Sequence, residues 1–231
     1  MSRYRYLLID LDDTLVSFHK TFQASLKTVF RRLMGRDIRP EELDWYEEAN
    51  TLCWKQLERK EITKEILKHK RFAMLSEHFG LGMDDEMICQ MNEAYMEELS
   101  RTVIYMPGTQ EFVRYAAERY RLIVITNGTD WVQHGRLSRV SFAGDLAGVV
   151  ISDEIGVNKP DPRFFDGVTA ITGDSDKSRY LVIGDSETSD IAFGRAVGLD
   201  TLRLCGADAE TAAMYRACDW DGVIRILEQA K

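Results

Sequence analysis

Two hydrophobic rhythms divide this chain. From about residue 105 onward, short apolar runs alternate with stretches whose apolar positions recur every three or four residues. The runs at 121–126, 149–152 and 180–185, a similar one at 4–10 and a fifth at 201–204 are short and nearly continuous, which predicts buried strands. Helical periods fall between the later ones, at 110–119, 131–139, 163–171 and 188–197. Strands alternating with helices predict an α/β fold, a doubly wound parallel sheet of Rossmann-like type covered on both faces.

Between 16 and 104 only the helical rhythm is present. Phe22, Leu26, Val29 and Leu33 share one helix face, and Ile88, Met91, Tyr95 and Leu99 share another. Breaks near 35–40, 60–63 and 80–85 divide the stretch into about four helices. The expectation is a discontinuous α/β core (1–15 and 105–231) interrupted after its first strand by an all-helical insert (16–104).

Composition narrows the class without changing this picture. The chain has 231 residues, 45% hydrophobic and 29% charged, as in ordinary globular proteins. A formal charge of −8 argues against nucleic-acid polymers and anionic membranes as partners. Arg3, Arg5 and Asp10 interrupt the first apolar run, so neither a signal peptide nor a membrane span is expected there. Four scattered cysteines (Cys53, Cys89, Cys205, Cys218) lack any CxxC spacing and read as buried, reduced thiols of a cytoplasmic protein.

The candidate chemistry lies where predicted strands end. The first closes on IDLDDTL, three aspartates in four positions, although clustered like charges repel and aspartate is a poor strand former. The second ends in Thr126-Asn127-Gly128, the third leads into Asn158-Lys159-Pro160-Asp161-Pro162, and the fourth ends in GDSETSD, 184–190. In a doubly wound sheet the crevice beyond the carboxyl ends of the strands is the ligand site. Carboxylates, a hydroxyl with small-residue backbone, and an ammonium gathered there make a metal and phosphate site. A hard divalent cation relieves the carboxylate repulsion, and phosphoryl transfer requires charge neutralisation and positioning.

DLDDT, ITNG, the lysine of NKPDP and GDSETSD, in this order and spacing, resemble the haloacid dehalogenase superfamily, with the insert similar to its cap domain. The stretches ANTLCWKQLERKEIT and VISDEIGVNKPDP are similar to the pyrimidine 5′-nucleotidase branch, although Lys60-Glu61 stand where relatives often carry a glycine turn. The resemblance implies Asp10 as nucleophile and Asp12 as general acid and base. It implies Lys159 as partner of the phosphoryl group and nucleophile, and Thr126, Asn127 and Gly128 as phosphate binders. It further implies one Mg²⁺ per chain (Mn²⁺ or Co²⁺ as substitutes) at Asp10, Asp12 and Asp185, with Asp12 contributing its carbonyl and Asp190 standing behind. Asp13 is expected to shape the turn, with Thr14 supporting it.

Retention of Asp12 favours phosphoesters over alkyl halides, because a departing halide needs no proton. The expected activity is Mg²⁺-dependent phosphomonoester hydrolysis, on a nucleoside 5′-monophosphate or another small phosphorylated metabolite. A sugar-phosphate phosphatase or a phosphomutase is the alternative. A phospho-accepting receiver domain fits poorly, because its acceptor follows a middle strand and it carries no large cap. On the insert, Trp54 is the candidate for stacking on a base, with Phe18, His19, Lys20, Lys55 and Arg71 as further candidates near substrate. His69, His78 and His134 receive no role. A monomer or weak homodimer is expected.

Overall fold

In a computed structural model of the chain, residues 3–230 are described, and they fall into two compact units, residues up to 18 with those from 103 onward, and residues 19–102. In chain order the elements are β1 (Tyr6–Asp10), α1 (Phe18–Met34), α2 (Pro40–Glu58), α3 (Lys64–Phe79), α4 (Asp85–Arg101), α5 (Thr109–Ala117), β2 (Arg121–Thr126) and α6 (Asp130–Leu137). There follow β3 (Leu146–Ile151), α7 (Ser152–Ile155), α8 (Phe164–Thr172), β4 (Tyr180–Gly184), α9 (Ala192–Val197), β5 (Asp200–Leu204), β6 (Tyr215–Ala217) and α10 (Trp220–Gln229).

The six strands form one all-parallel sheet in the order β3-β2-β1-β4-β5-β6. This is the expected doubly wound architecture. β1 is central, with Asp10 in register with Ile125 of β2 and Ile9 with Ile183 of β4. Every residue of β1 is buried, and its side chains alternate between two cores. Leu7 and Ile9 pack with Phe112, Val124, Leu181 and Trp220 on one face; Tyr6 and Leu8 pack with Ile123, Phe164, Val182 and Phe193 on the other. That double coverage explains why the central strands read as continuous apolar runs.

The chain leaves and re-enters this unit through adjacent segments: Ser17 donates its N–H to the Ile104 carbonyl at 2.7 Å, and Met106 donates to Leu15 at 3.1 Å. In the helical unit, α1 to α4 are punctuated by caps that the sequence spells out. Pro40 opens α2, Thr63 and Asp84 cap α3 and α4 by accepting from Ile66 and Met87, and Gly80 ends α3 in the left-handed region.

Several details differ from expectation. β3 begins at Leu146 rather than 149, and Gly148 inside it leaves space that a Cβ would take from Ile171 at 2.7 Å. The short edge strand β6 and the helix α10 have no counterpart in the sequence reading. The cysteines are free, but Cys53 alone is buried; Cys89 and Cys218 are exposed, since both lie at helix or loop positions facing water. No helix among the described residues is long and apolar enough to cross a membrane.

Candidate active site

The carboxyl ends of β1, β2 and β4 lie side by side, so the residues just beyond them converge. Asp10 closes β1 and is 8% exposed. After it the chain makes a tight turn: Asp13 adopts φ 58°, a left-handed conformation that aspartate tolerates, and its N–H reaches the Val16 carbonyl at 2.7 Å. Thr14, fully buried, points its hydroxyl to Asp185 at 3.4 Å.

Lys159 is 1% exposed, and its three protons have three acceptors. Nζ donates to Asp10 Oδ1 at 2.7 Å, to Asp190 Oδ1 at 2.6 Å and to the Ile125 carbonyl at 3.0 Å. Its backbone is clamped as well: Asn127 donates through Nδ2 to the Lys159 carbonyl and accepts from the Lys159 N–H, both at 2.8 Å. The Asn127 side chain therefore joins the end of β2 to the lysine loop, a contact that its expected role through the backbone amide did not include.

Asp10, Asp185 and Asp190 each offer an oxygen within 4.8 Å of the others. Asp190 Oδ2 also accepts the Ser186 N–H at 3.1 Å. Gly184 makes this approach feasible, because a Cβ there would lie 2.2 Å from Asp190 Oδ2. Two buried carboxylates, Asp10 and Asp190, and the half-buried Asp185 share one ammonium, so negative charge is in excess. Burial first, and then Asp190, push the Asp10 carboxyl well above its ordinary range, with Lys159 pulling the other way. Burial, then Asp190 and Asp13, push Asp185 up to about 7. Lys159 is raised, its burial outweighed by Asp10 and Asp190. Hard oxygen donors with surplus negative charge suit a divalent cation such as Mg²⁺. No donor among the described residues takes the Asp12 carbonyl oxygen.

The Asp12 carboxylate stands apart from that cluster. Arg136 Nη1 donates to its Oδ1, and Gln133 Nε2 donates to its Oδ2 at 2.8 Å. The same Gln133 Nε2 donates to Thr126 Oγ1 at 2.8 Å, which in turn accepts the Gly128 N–H at 3.1 Å. Neither Gln133 nor Arg136 was among the expected site residues. A signal was present: both fall in the stripe Val132, Gln133, Arg136, Leu137 that α6 buries, so two polar side chains sat where the helical period called for core. Trp54 lies on α2 of the helical unit, half-buried. His134, assigned no role, sits at the surface between Asp130 (3.2 Å) and Glu154 (2.8 Å).

The family model for haloacid dehalogenase-like hydrolases matches residues 7–204, most of the chain. This chain is a haloacid dehalogenase-like hydrolase. It is 32% identical over 200 residues to the pyrimidine 5′-nucleotidase PynA of Streptococcus pneumoniae, covering 86% of this chain and 83% of that protein. It is 28% identical over 204 residues to the pyrimidine 5′-nucleotidase YjjG of Escherichia coli, covering 87% and 86% respectively. Among solved structures, the HAD-hydrolase YfnB of Bacillus subtilis, crystallised with magnesium, superposes with a TM-score of 0.90 at 24% identity over 97% of this chain and 99% of that one. As a haloacid dehalogenase-like hydrolase the chain is an enzyme, and the convergence at the ends of β1, β2 and β4 is its candidate active site.

Proposed function

We propose that this hydrolase is a Mg²⁺-dependent phosphomonoesterase that works through an aspartyl-phosphate on Asp10, with pyrimidine nucleoside 5′-monophosphates as its substrates. The observation that carries this reading is the placement of Asp10, buried at the end of the central strand with one oxygen fixed by Lys159 and two further carboxylates beside it. The substrate class leans on the likeness to PynA over 86% of the chain.

In the proposed reaction the substrate phosphate lies beyond β2, held by the Thr126 hydroxyl and the amides of Asn127 and Gly128. The Asp10 oxygen not held by Lys159 attacks phosphorus, and the bond to the ester oxygen breaks. Asp12 gives its proton to the departing alcohol, then takes one from the water that attacks the aspartyl-phosphate, so phosphate leaves and both aspartates are restored. A Mg²⁺ ion held by Asp10, Asp185 and the Asp12 carbonyl would supply neutralisation of the phosphoryl charge. Lys159 has all three protons committed, so its part is to fix Asp10 and Asp190, and a phosphoryl oxygen gains one of those protons only by exchange. Asp190 orients Lys159.

The helical insert acts in this reading as a cap that selects substrate, with Trp54 as a stacking surface for the base, and the enzyme works in the cytoplasm on small metabolites. The test is phosphate release, with Mg²⁺ or with EDTA, from UMP, dUMP, dTMP, CMP, AMP, GMP, sugar phosphates and p-nitrophenyl phosphate. Selective turnover of the pyrimidine monophosphates is expected. Preference for a sugar phosphate overturns the substrate class, and substantial turnover by a folded Asp10→Asn variant overturns the covalent mechanism.

A further inference from the structure

From the Asp12 contacts we infer that Gln133 and Arg136 of α6 are positioning residues that lock the Asp12 carboxylate in one orientation beside the phosphate-binding turn. The inference rests on the phosphomonoesterase reading above and assigns to it two residues that act through Asp12 rather than on the substrate.

The two side chains are three residues apart on α6 and face the same way, with 1% and 2% of their surfaces exposed. A guanidinium is seldom buried so completely without a carboxylate partner. Arg136 has one, Asp12, across 124 positions of sequence. Its Nη1 also donates to Gln133 Oε1 at 3.1 Å, which leaves Gln133 Nε2 facing Asp12 Oδ2 and Thr126 Oγ1, each at 2.8 Å. The glutamine has a single workable orientation. Turned over, its Oε1 would face the Asp12 oxygen, an acceptor against an acceptor, and its amide would face the guanidinium. Both oxygens of Asp12 are thus held by separate side-chain donors, and one donor atom joins Asp12 to Thr126, so the two acceptors lie at most twice 2.8 Å apart. An acid and base needed in both half-reactions is thereby held next to the turn where the phosphate is proposed to sit.

Two further facts set this apart from ordinary helix docking. Arg136 Nε and Nη2 are buried without a hydrogen-bond partner, so the arginine is a costly way to attach α6 to the sheet. Gly128 has no room for a side chain, because a Cβ would lie 2.0 Å from Gln133 Nε2. The glycine of the phosphate-binding turn therefore also accommodates the clamp.

The experiment is a double-mutant cycle. Arg136→Lys and Gln133→Met are made in the wild-type chain and in Asp12→Asn, with kcat and KM measured on the preferred phosphomonoester, vanadate affinity by calorimetry, and melting of each variant. In the wild-type background each change should lower kcat about 10- to 100-fold, the scale of a misplaced catalytic group, with KM and vanadate affinity within about twofold. In the Asp12→Asn background the same changes should cost less than about twofold, because the group they position is gone. Equal losses in both backgrounds, or weakened vanadate binding, overturn the inference and make the pair structural or phosphate-binding. If Arg136→Lys fails to fold, Gln133→Met completes the cycle, and a wild-type kcat in that variant is equally fatal. Failure of the reading underneath shows earlier, as a wild-type chain inactive toward every phosphomonoester.

Discussion

Replacing Asp185 by Asn tests the electrostatics of the site without relying on turnover. In the absence of a cation, burial and the neighbouring Asp190 and Asp13 raise the Asp185 carboxyl from 3.8 to about 7. The sign follows from linkage. Because the folded value lies above the unfolded one, the native state holds a proton that the unfolded chain has already released. This stability is fully present below the unfolded value near pH 4 and is lost as pH rises through about 7. Taken alone, that rise corresponds to about 4 kcal/mol; shared with Asp10, whose carboxyl is raised as well, about 2–4 kcal/mol is the expected loss. Asparagine keeps the shape and has no proton to lose. Denaturation in EDTA from pH 4.5 to 8 should therefore show Asp185→Asn gaining on the wild type as pH rises. At pH 8 the gap should reach roughly 4–16 °C in the melting of the α/β unit. Mg²⁺ at a hundred times its dissociation constant should return about 2.7 kcal/mol to the wild type and little to the variant, closing the gap. A constant gap at every pH would falsify the crowded-carboxylate account. So would a wild-type stability indifferent to Mg²⁺.

The remaining predictions concern other buried charges and the insert. Lys159→Met strips the cation from between Asp10 and Asp190, and urea unfolding at pH 8 should show a loss of about 3–5 kcal/mol, shrinking in acid as Asp10, whose carboxyl is raised by its burial, takes up its proton. Glu42, fully buried at the start of α2, is held at about 2 by Arg36 and Arg39 against the opposing effect of its burial. Its folded value is depressed, so the stability it contributes is present above its ordinary 4.5 and lost as pH falls through about 2. Glu42→Gln should thus cost the helical unit about 1–3 kcal/mol at neutral pH and progressively less below pH 4, measured by circular dichroism. Trp54→Ala should raise KM about 5- to 150-fold for UMP, as loss of one base stack implies, and leave p-nitrophenyl phosphate unaffected; equal effects on both substrates count against stacking.

What could be read from the sequence and what could not follow a physical line. Asp10, Thr126 and Asp185 were legible because each ends or directly follows a short apolar run, and strand ends of a parallel sheet are brought together by the sheet itself. β1 needs no knowledge of its neighbours to be recognised, since burial on both faces writes an unbroken YLLI. β6 and the start of β3 were missed for the opposite reason. Tyr215–Ala217 is a three-residue edge whose central Arg216 faces water, and Gly148 breaks the apolar run where a helix residue takes its side-chain space. The Asp12 clamp lies beyond what either rhythm conveys. A glutamine and an arginine on a helix read as its wet face until the buried stripe is traced through them. Even then only the fold reveals that the partner is an aspartate 124 positions earlier. Local periodicity therefore reports which side chains are buried, while the identity of a buried charge's partner is a property of topology. For that reason a polar residue inside an apolar stripe is itself an observation that calls for a partner. In α6 that observation points to Asp12, the residue on which the proposed chemistry turns.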